Sequence, residues 1–106
     1  MDKQISIVIA DDHPILRDGL RKLLEAEKDF VVAGEACDGS ETLEIAQRLT
    51  PDMLLLDLMM PGVPCLEVLR ALAASGAPTR TLLLTANIER DELVKALQLG
   101  ARGVKP

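Results

Sequence analysis

Five polar side chains stand where apolar runs end. Asp11 and Asp12 follow "ISIVIA", Asp57 closes "DMLLLD", Thr85 closes "TRTLLLT", and Lys105 ends the short "GVK". A continuous apolar run bounded by turn residues suits a strand buried on both faces. An isolated carboxylate at the end of such a strand is costly unless it meets water, a cation or a partner. Three carboxylates gathered at one edge repel and raise one another's pKa unless a cation is shared among them. Their oxygens are hard donors, and with no His or Cys counted in the set the matching cation is Mg2+, which keeps several waters and favours phosphate oxygens as further ligands. Such a centre suits a phosphoryl group. Asp57 is then the candidate nucleophile, attacking phosphorus to give an aspartyl phosphate. The Thr85 hydroxyl and the Lys105 ammonium are candidates to contact the phosphoryl oxygens.

The segments between these residues decide whether they meet. "ISIVIA" (5–10) reads as a first strand and "PILRDGLRKLLEAE" (14–27) as a helix with Pro at its first turn, carrying Ile15, Leu16, Leu20, Leu23 and Leu24 as one apolar stripe that reads as core. "FVVAGEA" (30–36) reads as a second strand. "SETLEIAQRL" (40–49) is a second helix with Leu43, Ala46 and Leu49 at helical spacing, capped by Asp38 or Ser40. "DMLLLD" is the third strand, Pro64 opens a helix that Gly76 and Pro78 stop, "TRTLLLT" is the fourth strand, and "ERDELVKALQLG" is a helix closed by Gly100. "GVK" begins a fifth strand. Strands alternating with helices imply right-handed crossovers and a parallel sheet covered on both faces. In such sheets ligands sit outside the carboxyl ends of the strands, where the five polar residues lie.

Composition narrows the function classes. The 106 residues suffice for one domain, here taken as 1–106, and a hydrophobic content of 48% suffices for its core. Twelve Lys and Arg against 17 Asp and Glu give a formal net charge of -5, so the attraction that drives nonspecific nucleic-acid binding is missing. Phe30 is the one aromatic residue, which removes stacking platforms for nucleobases or a flavin ring. The start "MDKQISIVIADDHP" fits neither a signal peptide nor a membrane span, and a cytoplasmic location is expected. Cys37 and Cys65 lack ligand spacing and read as reduced, largely buried side chains. His13, beside Pro14, reads as a turn residue.

"IVIADDHPILRDGL", "LLLDLMMPG", "LLLTA" and "LGARGVKP" occur in the order seen in bacterial two-component response-regulator receiver domains, and the chain resembles that family over essentially its whole length. The "DDHP" start is most similar to the NarL/FixJ (LuxR-type) branch, whose members usually carry a C-terminal helix-turn-helix domain. The resemblance implies a flavodoxin-like (CheY-like) α/β fold, a doubly wound parallel sheet of five strands in the order 2-1-3-4-5, with the last helix and any effector domain missing. It also implies Asp57 as phosphoacceptor, Asp12 as a direct Mg2+ ligand, Asp11 as a ligand through water, the Met59 backbone carbonyl as a third protein ligand, and Thr85 and Lys105 as completing the site. The partners implied are a sensor histidine kinase, DNA only through an effector domain, and no membrane. An uncovered side next to the first helix would favour self-association or a homodimer.

Departures from the family pattern are visible too. Cys65 stands where a glycine usually follows the "MPG" loop, Val104 takes the place of the switch aromatic, and the interval from Gly100 to Lys105 is two residues shorter than the family spacing. The function implied is a phosphorylation-dependent signalling switch controlling a transcriptional output, with no enzyme activity beyond its own phosphorylation and dephosphorylation. The alternative is a phosphorylation-independent pseudo-receiver serving as an interaction module. A Mg2+-dependent phosphatase would want a second acid two residues after its nucleophile and a lid, and a flavodoxin-like carrier would want a phosphate loop where "ADDHP" stands.

Overall fold

A computed structural model describes residues 4–57, 60, 65–76 and 78–84. Within them the elements run β1 (Ile5–Ala10), α1 (Pro14–Glu25), β2 (Phe30–Ala36), α2 (Gly39–Leu49), β3 (Met53–Asp57), α3 (Cys65–Ala74) and β4 (Arg80–Leu84). The strands form one sheet in the order β2-β1-β3-β4, and every pairing is parallel. This is the doubly wound arrangement expected. The fourth helix and the fifth strand read from the sequence lie outside the described residues.

Alternation along each strand sorts the core into two layers. Ile7, Ile9, Met53, Leu55 and Leu84 pack with Leu20, Leu24 and Phe30 on the α1 side. Val8, Ala10, Leu54 and Leu56 pack with Ile45, Ala46, Val68 and Leu72 on the side of α2 and α3. Since β3 is buried on both faces from Met53 to Leu56, a polar residue can enter it only at the end, where Asp57 is partly exposed. The same parity carries Asp57 to the α1 side.

Helix ends explain the start and stop of each crossover. Pro14 opens α1 after the extended N-cap residue His13, and the Asp38 carboxylate accepts a bond from the Glu41 amide to cap α2. Gly34 lets α2 approach the sheet: a Cβ there would come within 3.2 Å of a Leu49 methyl and 3.3 Å of an Ile45 methyl. The pairing of β1 with β2 shifts between Ile7 and Val8, where Ala33 is passed over.

Two expectations fail. Only Leu20 and Leu24 of the first helix are fully buried, Leu23 is partly so, and Ile15 and Leu16 are 90% and 53% exposed. Both lie in the first turn of α1, beside the strand ends, where little of the sheet remains to pack against. Cys37 is exposed rather than buried, because it follows the last residue of β2; partial desolvation with the nearby Glu41 and Asp38 carboxylates pushes its pKa up, which keeps it a thiol. The Cys65 side chain lies outside the described residues.

At the opposite edge from Asp57, the β1–β3 register is clamped by a polar pair. The Asp52 Oδ2 accepts bonds from the Ser6 amide at 2.9 Å and the Ser6 hydroxyl at 3.1 Å, while the Asp52 amide donates to that hydroxyl at 2.9 Å. Asp52→Ala leaves the part-buried Ser6 amide without its acceptor and should destabilise the fold by about 1–3 kcal/mol. A urea unfolding midpoint unchanged from the parent would contradict this clamp.

Candidate metal and phosphoacceptor site

Register brings the acids together. Ala10 pairs with Leu56 at the end of the β1–β3 ladder, so the next residues, Asp11 and Asp57, leave adjacent strands side by side. Ligand atoms from Asp11, Asp12, His13 and Asp57 all lie within 4.8 Å of one another. A one-residue slip of a strand would reverse its buried and exposed faces, so the packing that fixes the core also fixes this cluster.

Asp11 is 1% exposed, and its charge is met locally. Its Oδ1 accepts the His13 amide at 2.8 Å and lies 3.1 Å from His13 Nδ1, while its own amide donates to the Ala36 carbonyl at 3.0 Å. The N-terminus of α1 adds a favourable dipole for acids before it. Asp12 is more exposed, but its Oδ1 is buried and makes no hydrogen bond. His13 Nδ1 lies 3.0 Å from that oxygen without the geometry of a hydrogen bond. That oxygen has the imidazole beside it but no hydrogen-bond donor, and a buried oxygen without a donor is costly. Hard oxygens from three carboxylates, one of them without a hydrogen-bond donor, fit a divalent cation of the Mg2+ class.

The sequence reading left His13 out of the donor set, as a turn residue. It is indeed the residue before α1, yet its exposed ring folds back over the acids. Arg17 and Glu35 were likewise missed. Arg17 Nη1 donates to the Asp11 carbonyl at 2.8 Å and its Nε donates to Glu35 Oε1 at 2.9 Å. The signal for Arg17 was its place one helical turn after His13, whereas nothing local in the sequence joins it to Glu35. Of the residues predicted for the site, Asp11, Asp12 and Asp57 are brought together, while Met59, Thr85 and Lys105 lie outside the described residues.

The His13 pKa is raised above its ordinary value of 6.5, first by its hydrogen bond to Asp11 and then by the charge of Asp12, with smaller contributions from the charges of Asp11 and Asp57. Its stabilising contribution is therefore complete below pH 6.5 and is lost as pH rises through the raised folded value. A divalent cation among the same carboxylates would replace imidazolium as their counter-charge. NMR titration of the ring should give a folded pKa above 6.5 that falls when Mg2+ is added; a pKa indifferent to Mg2+ would contradict a shared site.

Comparison with known proteins identifies the family. Residues 7–105 match the response regulator receiver domain family. The nitrate/nitrite response regulator protein NarL of Escherichia coli strain K12 is 39% identical over 98 residues, covering 92% of this chain and 45% of that protein. Protein-glutamate methylesterase/protein-glutamine glutaminase 5 of Myxococcus xanthus is 44% identical over 98 residues, covering 92% of this chain and 28% of that protein. The chain thus spans less than half the length of these curated relatives. Among solved structures, the signal receiver domain of the response regulator NarL from Mycobacterium tuberculosis superposes with a TM-score of 0.89 at 32% identity, covering 95% of this chain and 98% of that one. Sheet order, acidic strand edge and a match running through both make this chain a member of the response regulator receiver domain family, of the NarL type.

Proposed function

We propose that this receiver domain is a phosphorylation switch in which Asp57 accepts a phosphoryl group from the phosphohistidine of a sensor histidine kinase. The observation that carries the reading is the gathering of the Asp11, Asp12 and Asp57 ligand atoms, with His13, within 4.8 Å of one another. In the step itself an Asp57 carboxylate oxygen forms a bond to phosphorus as the phosphorus–nitrogen bond breaks. The imidazole leaves with the electron pair. Asp12 and Asp57 would hold Mg2+ directly, with Asp11 acting through water and the Met59 carbonyl as a further ligand. When bound, Mg2+ offsets the repulsion between the carboxylates and the incoming phosphoryl oxygens.

The chain's own residues do the rest. β3 delivers Asp57 at the rim of the sheet with only partial exposure. Asp11, anchored through its amide, keeps the neighbouring Asp12 at the same rim. Thr85 and Lys105 complete the proposal by their match to the family pattern: the hydroxyl to sense the phosphoryl group, the ammonium to pair with it. Exposed Ile15 and Leu16, beside this rim, offer apolar contact to the donor kinase. A phosphoryl group adds about -1.5 to -2 charge and three strong acceptors, and the response is a shift of population between two surfaces.

The output belongs to the same proposal. With a net charge of -5 the domain itself is poorly suited to DNA, so transcriptional control would act through a separate effector in the cytoplasm, as the NarL likeness suggests. No helix among the described residues is long and apolar enough to cross a membrane. Incubation with Mg2+ and a small acyl phosphate should add the mass of one phosphoryl group to the parent and none to Asp57→Asn. Equal labelling of both proteins would move the acceptor elsewhere, and no labelling of either would favour a pseudo-receiver that only binds partners.

A further inference from the structure

Asp11 is held at more points than its own side chain requires. Its amide donates to the Ala36 carbonyl, its Oδ1 accepts the His13 amide, and its carbonyl accepts from Arg17. That carbonyl belongs to the peptide joining Asp11 to Asp12, so whatever fixes it also sets the direction from which the Asp12 carboxylate leaves the backbone. The Asp12 Oδ1 has the exposed His13 imidazole 3.0 Å away but accepts no hydrogen bond, so its side chain is less firmly held than that of Asp11. Arg17 is in turn immobilised. Its Nε donates to Glu35 Oε1, and Glu35 stands on β2 opposite Ile9 of β1, with its other oxygen 3.4 Å from Arg21 Nε.

We infer that Arg17 is a positioning residue for the cation site, a bracket that ties the Asp11–Asp12 peptide to Glu35 and holds Asp12 ready for Mg2+. The inference rests on the Mg2+ site of the proposed function. The two bonds leave one planar guanidinium in different directions, Nη1 toward the Asp11 carbonyl and Nε toward Glu35. A lysine ammonium is a point charge on a flexible stem and cannot reproduce that fork. Groups that hold a ligand residue in place typically matter about 10–100-fold in metal affinity when removed. Charge alone would act in the opposite sense, because a cation near the site repels Mg2+ and deleting it would tighten binding.

These opposed signs make the role measurable. Mg2+ titrations followed by the amide shifts of Asp11, Asp12 and Asp57 would be run on the parent, Arg17→Lys, Arg17→Met and Glu35→Gln, with thermal unfolding of each. The bracket predicts that Arg17→Lys, which keeps the charge, binds Mg2+ about tenfold more weakly than the parent and displaces the Asp12 amide resonance even without Mg2+. Glu35→Gln, which leaves Arg17 in place but loosens its anchor, should weaken binding by less, so the inference stays testable if an Arg17 variant fails to fold. Unchanged affinity in Arg17→Lys and Glu35→Gln, with only the unfolding midpoints lowered, would make the arginine structural and overturn the inference. Tighter binding in Arg17→Met with no change in Arg17→Lys would overturn it in favour of simple charge. A parent that binds no Mg2+ would overturn the proposed function and this inference together, whereas a parent that binds with variants that match it would remove the inference alone.

Discussion

The structure turns on a repulsion. Parallel pairing of β1 with β3 brings Asp11 and Asp57 out of adjacent strands side by side, and Asp12 follows at once. Like charges this close oppose one another. The register that imposes them cannot relax, because Ile7, Ile9, Met53 and Leu55 would leave one core layer and Val8, Leu54 and Leu56 the other. Burial thus holds the acids where electrostatics alone would not put them. What the fold supplies locally offsets part of the cost: the His13 amide and ring on Asp11, and the dipole at the start of α1. What remains could be met by a cation, for which the cluster has the hard oxygens.

Around that cluster the rest of the molecule is arranged as support. The Ser6–Asp52 pair clamps the far end of the same two strands, and Arg17 with Glu35 ties the near end to β2 and α1. Gly34 allows α2 to lie close on the sheet. None of these side chains needs to touch a phosphoryl group, but each limits how far the carboxylates can drift. Natural proteins store such local conflict where they do chemistry and balance it elsewhere in the fold.

The fold was legible because its signals are local. Continuous apolar runs bounded by turn residues, Pro14 at a helix start and Asp38 or Ser40 as a cap are read from a few neighbouring residues; the strands and Pro14 stand where expected, and of the two cap candidates it is Asp38 that caps α2. Asp57 was legible for the same reason: a charge closing a fully apolar run has few structural uses. Ile15 and Leu16 misled because helical spacing records which side of a helix is apolar and not where the sheet beneath it ends. Cys37 misled because its residue type favours burial while its place after β2 decides exposure. His13 and the Arg17–Glu35 pair were missed since their contacts depend on how a loop folds back, or join residues eighteen apart on different elements.

The central claim is that these acids are held together against their own repulsion and wait for a divalent cation. It is tested most directly by urea unfolding of the parent and of Asp12→Asn, each with and without Mg2+. Asparagine keeps the shape of the side chain and removes one of the opposing charges. Without Mg2+ the variant should therefore be the more stable of the two. With Mg2+ at a hundred times its dissociation constant the parent should gain about 2.7 kcal/mol, and the variant far less. A variant less stable than the parent without Mg2+, or one that gains as much from it, would contradict the account.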